Sequence, residues 1–83
     1  MYYVYVLLCR DGDLYKGSTG NLKKRFGEHI KGQVKSTCKK LPVVLIYYQA
    51  FINKTDALRE ELYLKSGKGK EQLKIKLQKT LKL

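Results

Sequence analysis

Residues 3–29 read YVYVLLCRDGDLYKGSTGNLKKRFGEH, and the way this stretch divides into elements decides the fold. From Tyr2 to Cys9 the chain is apolar on both alternating faces, with Tyr3, Tyr5, Leu7 and Cys9 on one and Tyr2, Val4, Val6 and Leu8 on the other. A strand of that kind is covered on both sides, which predicts the middle of a sheet. Asp11-Gly12 supplies a tight turn, and Leu14 to Thr19 is expected to return antiparallel. Along the return, Tyr15 and Gly17 share a face while Lys16 points away, so Tyr5 and Tyr15 are expected on the same side of neighbouring strands. Asn21 reads as the N-cap of a helix running to about Gly32. Its apolar stripe is Leu22, Phe26 and Ile30, with Lys24, Glu28 and Lys31 opposite and Arg25 and His29 on the shoulder, facing the sheet margin. Two tyrosine hydroxyls beside a guanidinium and an imidazole are suited to holding and attacking a phosphate.

Outward from this stretch, residues 32–41 (GQVKSTCKKL) form a loop too polar to be core, closed by Pro42. Val43 to Phe51 is a third strand, again apolar on both faces. Asn53, with Asp56 three residues on, marks a capped helix from Lys54 to Ser66 whose core face is Ala57, Leu58 and Leu64. Glu61 falls inside that apolar stripe, with Lys65 one turn further. Ionised carboxylates are rarely buried unless paired or bound to a metal, so Glu61 is either an ion-pair partner of Lys65 or a ligand. Gly67 and Gly69 are expected to break the chain before a last helix, Lys70 to Leu81, with Leu73, Leu77 and Leu81 on one face. The expected fold is α+β: a small three-stranded antiparallel sheet flanked by three helices in the order ββαβαα, with residues 1–83 as one domain.

Lys and Arg total 18 against 7 acidic residues, a net charge of +11, which on so small a body predicts a polyanionic partner, nucleic acid above all. A lysine-rich composition that merely decorates the surface is the competing account. Lys24, Lys31, Lys35, Lys39 and Lys40 are the cations expected to contact the backbone. Cys9 and Cys38 have no CxxC spacing and only one His to join them, which excludes a zinc pattern and predicts plain thiols in a reducing compartment. The N-terminal apolar run lacks a cationic lead and a small-residue cleavage site, and no run approaches the ~20 apolar residues of a membrane span. A cytoplasmic protein with no membrane association and no obligate protein partner is expected.

Taken in order, Tyr3-Val4-Tyr5, Tyr15-Lys16-Gly17, Ser18-Thr19, Asn21-Leu22, Arg25, Glu28-His29, Tyr47-Tyr48, Ala57-Leu58-Arg59 and Glu61 resemble the GIY-YIG nuclease superfamily, in particular its small stand-alone bacterial branch. The resemblance covers Tyr2 to about Lys76. It implies a divalent-metal-dependent endonuclease acting on structured or branched DNA rather than RNA, with Mg²⁺ or Mn²⁺ as cofactor. The alternative is a nucleic-acid-binding adaptor that keeps the fold without cleaving. Carried over by position, Tyr5 would be the general base, Tyr15 the second motif tyrosine, Arg25 the phosphate brace, His29 the helix histidine and Glu61 the metal-binding acid. The first motif departs from the family in reading Tyr-Val-Tyr, and the second has Lys16 where the family name has isoleucine. No residue matches the late asparagine of the larger members.

Overall fold

Strand β1 (Tyr2–Cys9) takes the central position that its two apolar faces predict, with β2 (Leu14–Thr19) on one side and β3 (Val43–Phe51) on the other, both antiparallel. These are features of a computed structural model, which describes residues 1–82. The β1–β2 register pairs Tyr5 with Gly17 and Leu7 with Tyr15. That register puts Tyr5, Tyr15 and Gly17 on one face, as expected, and leaves β2 as an edge strand. Between Val6 and Leu7 the pairing with β3 shifts by one residue, at Ile46.

The first face of the sheet carries Tyr5, Leu7, Cys9 and Val43, covered by helix α1 (Leu22–Ile30) through Leu22 and Phe26. The second carries Val4 and Val6, covered by α2 (Lys54–Lys65) and α3 (Gly67–Lys76) through Ala57, Leu64 and Leu73. Asn21 and Asn53 cap α1 and α2 with their side-chain oxygens, on the amides of Lys24 and Thr55.

Four expectations are corrected. The glycines at 67 and 69 do not break the chain; both lie inside α3, and the break is the single residue Ser66, which ends α2 and caps α3 through its side chain on the Gly69 amide. A Cβ at Gly69 would collide with the Tyr63 carbonyl, so this glycine serves close helix contact. The last helix instead ends at Lys76 and resumes as a short α4 (Gln78–Leu81), giving four helices rather than three among the described residues. Leu58 and Ile30 are not core, at 43% and 54% exposed, because the sheet is too narrow to lie beneath those flanks. Finally, the loop 32–41 is not wholly outside the core: Val34 and Thr37 are buried. No helix among the described residues is long and apolar enough to cross a membrane.

Candidate active site astride the edge strand

His29 is the deepest residue of α1 and fully buried, rather than on its shoulder. An imidazole there needs partners for both nitrogens, and it has them. Nε2 lies 2.9 Å from the Tyr5 hydroxyl and Nδ1 lies 2.7 Å from Thr37 Oγ1. Burial, then the positive charge of Arg25, holds the imidazole below its ordinary pKa and so neutral at physiological pH. A neutral ring donates at one nitrogen and accepts at the other, which makes Tyr5, His29 and Thr37 a directional hydrogen-bonded chain.

Tyr15 packs edge-on to the imidazole with ring centroids 5.1 Å apart, and its ring lies 6.2 Å from that of Tyr5. Arg25, one turn before His29, pairs with Glu28 at 3.0 Å and sits beside the Tyr5 hydroxyl. Burial nevertheless outweighs that cation and pushes the Tyr5 phenol up to about 12. A general base at Tyr5 would need a nearby cation to make its phenolate accessible, and here desolvation of the anion outweighs that cation. The hydroxyl reaches out across Gly17, where a Cβ would come within 2.6 Å of it. Only glycine at that position leaves the tyrosine its place.

Glu61 stands on the other side of the sheet. It occupies the buried stripe of α2 between Ala57 and Leu64, with its side chain 17% exposed. Ser18, the residue after Gly17 and directed to the opposite face, donates its hydroxyl to Glu61 Oε1 at 2.6 Å. Lys65 donates to Oε2 at 2.9 Å. Two successive residues of β2 thus bind the two halves of the site: Gly17 accommodates the Tyr5 hydroxyl and Ser18 holds Glu61. Tyr5, Tyr15, Arg25 and His29 form one cluster, and Glu61 joins them only across this edge.

A model of the GIY-YIG catalytic domain matches residues 1–74. The chain belongs to the GIY-YIG family. Among its curated relatives are proteins designated UPF0213 from Lacticaseibacillus paracasei (49% identical over 65 residues, covering 77% of this chain and 73% of that one) and Clostridium perfringens (40% over 83 residues, 99% and 89%). A solved relative, the solution NMR structure of a UPF0213 protein from Bacillus halodurans, is 39% identical and superposes with a TM-score of 0.56 over 88% of this chain and 82% of that one. GIY-YIG nucleases generally depend on a divalent metal. Among the described residues no group of three His, Cys, Asp or Glu side chains comes together to hold one. A single carboxylate with a neighbouring hydroxyl fits a hard cation that keeps its water and takes phosphate oxygens, and does not fit zinc. Glu61 is the residue that would hold it.

Thr37, Ser18 and Gly17 are site residues that the sequence argument left without a role. Of the expected backbone contacts, Lys24, Lys31, Lys35 and Lys39 are exposed on α1 and the following loop, whereas Lys40 is occupied by Asp13 at 2.6 Å and Asp11 at 3.6 Å.

Proposed function

We propose that this domain is a divalent-metal-dependent endonuclease that hydrolyses phosphodiester bonds in structured or branched DNA. The observation that carries the reading is the chain Tyr5–His29–Thr37, set beside Arg25 at a strand edge opened by Gly17. With the Tyr5 phenol near 12, only on the order of one molecule in 10⁵ is phenolate at neutral pH, so a free phenolate base is too scarce to drive turnover. The relay removes that requirement. As a water attacks phosphorus, its proton passes to Tyr5 Oη while the phenolic proton passes to His29 Nε2, and His29 Nδ1–H donates to Thr37 Oγ1 throughout.

Tyr5 is buried at rest with Arg25 against it, so turning the guanidinium onto the phosphate both braces two oxygens and uncovers the hydroxyl. Glu28 orients that fork before substrate arrives. A divalent ion on Glu61 would neutralise the phosphate and stabilise the leaving alkoxide. Ser18 fixes the Glu61 carboxylate in position for it. One observation favours the adaptor reading instead: both Glu61 oxygens already have partners, in Ser18 and Lys65. Incubation with labelled branched, duplex and single-stranded DNA and with RNA, in Mg²⁺, Mn²⁺ or EDTA, separates the two. Divalent-dependent scission of branched DNA is expected; intact substrate across the whole panel leaves the adaptor.

A further inference from the structure

Beside the Glu61 half of the site, a cleft of about 840 Å³ lies between β2 and helices α3 and α4. Its floor includes Leu8 and Leu14, and its walls carry Lys16, Lys70, Lys74 and Lys82. The one acid lining it, Asp13, is already bonded to Lys40 at 2.6 Å. None of the four wall lysines has a carboxylate within salt-bridge distance among the described residues. Cations gathered without counter-charge repel one another and are stabilised by an anion that bridges them. Burial, then Lys70, lowers the pKa of Lys16; Asp13 opposes this, and Lys65 and Lys74 add to it.

The cleft opens on the same face of β2 as the Glu61 half of the candidate active site. Lys16 and Ser18 are alternate residues of β2 directed to the same face, ~7 Å apart along the strand. Ser18 holds Glu61, and Lys65 holds the other oxygen of the same carboxylate. Lys16 is also the position at which this chain departs from the apolar residue of its family's second motif, which leaves its charge without a packing explanation.

We infer that this cleft grips the sugar-phosphate backbone of the substrate beyond the scissile bond, with Lys16, Lys70 and Lys74 contacting successive phosphates as the strand leaves the β2 edge. The inference rests on the nuclease reading for the direction of the strand. It places the main backbone contact on the α3 face, not on α1 and the 32–41 loop.

Binding to a labelled DNA duplex in EDTA, followed over a range of salt concentrations, tests the cleft without any contribution from cleavage. A variant carrying Lys16→Gln, Lys70→Gln and Lys74→Gln is compared with one carrying Lys24→Gln, Lys35→Gln and Lys39→Gln, which removes the same charge from the other face. Each lost phosphate contact lowers the slope of log affinity against log salt by ~0.9, so the cleft variant is expected to lose about 2.7 and the loop variant less than half of that. If the triple variant does not fold, Lys70→Gln with Lys74→Gln, both at exposed helix positions, carries the test with an expected loss of about 1.8. A cleft variant with wild-type slope and affinity, a loop variant that loses as much, or a wild-type protein that binds no DNA at low salt overturns the inference. Wild-type binding without cleavage in any metal overturns the nuclease reading and leaves the cleft standing.

Discussion

The buried site around Tyr5 and the cleft beside Glu61 handle polar groups differently. Around Tyr5 on the α1 face they are closed into partnerships, Tyr5 with His29, His29 with Thr37 and Arg25 with Glu28, while Lys24, Lys31, Lys35 and Lys39 further out are exposed and have no carboxylate within salt-bridge distance among the described residues. On the α2–α3 face Glu61 is paired, but the lysines around the cleft stand without carboxylates. Groups that move protons need fixed geometry and exclusion of water, which buried hydrogen-bonded chains supply. Groups that hold a polyanion need charge left available, which requires exposure and no internal partner. On the proposed reading, proton transfer falls to the Tyr5 side of the edge strand, and the metal and the backbone grip fall to the Glu61 side.

The comparison breaks most decisively at Tyr5. Tyr5→Phe removes the relay, so single-turnover cleavage of branched DNA is expected to fall by ~10²–10⁴ while DNA affinity is unchanged. The fold loses ~1–3 kcal/mol, since His29 Nε2 is left without its partner. Wild-type cleavage by this variant would take the proton chemistry away from the α1 face.

Next in size is Glu61→Gln, which keeps the shape and removes the charge. Cleavage is expected to be abolished with folding and DNA binding retained, whereas Lys65→Met leaves cleavage largely intact. Calorimetric titration with Mn²⁺ sharpens the outcome: if Glu61→Gln binds metal as wild type does and Lys65→Met is equally destabilising, the carboxylate is an ion-pair partner and no ligand.

A stability contrast follows. Leu73→Ala in the buried seam of α3 is expected to cost ~2–5 kcal/mol in denaturant unfolding, enough to threaten so small a domain. Leu58→Ala, at an exposed position of α2, is expected to stay within about 1 kcal/mol. Equal losses would mean that the described core boundary is misplaced.

The smallest effect is a pH dependence. Burial holds the folded-state pKa of His29 below its unfolded value, so the unfolded chain binds the proton more readily. Its contribution to stability is therefore present above an unfolded pKa of about 6.5 and is lost as pH falls from there through the lower folded value. Melting temperature is expected to decline below that point, and His29→Gln to flatten the decline. An unchanged slope in His29→Gln would place the titration elsewhere.

Much of this was legible because it broke or kept a period. The doubly apolar β1 identified the central strand, strand alternation put Tyr5 beside Tyr15, and an acid inside a helical stripe singled out Glu61. Thr37 was not legible, since a loop has no period to read and its burial depends on where α1 delivers His29. The helical wheel gave Leu58 and Ile30 a direction but could not say how far the sheet extends beneath them. Gly67 and Gly69 read as breakers because propensity is local, whereas Gly69 answers to the Tyr63 carbonyl of the preceding helix.

Ser66 alone separates α2 from α3, and its hydroxyl is spent on both: it donates to the Tyr63 carbonyl at 2.6 Å and accepts from the Gly69 amide at 3.2 Å. A joint this short, pinned at both ends, has little freedom to flex. Glu61 and the pair Lys70 and Lys74 therefore ride on one bracket, and on the proposed reading that bracket sets the interval between the metal and the phosphates the lysines grip. A one-residue insertion after Ser66 would break this double pinning and loosen the interval between Glu61 and the two lysines without replacing any of the three.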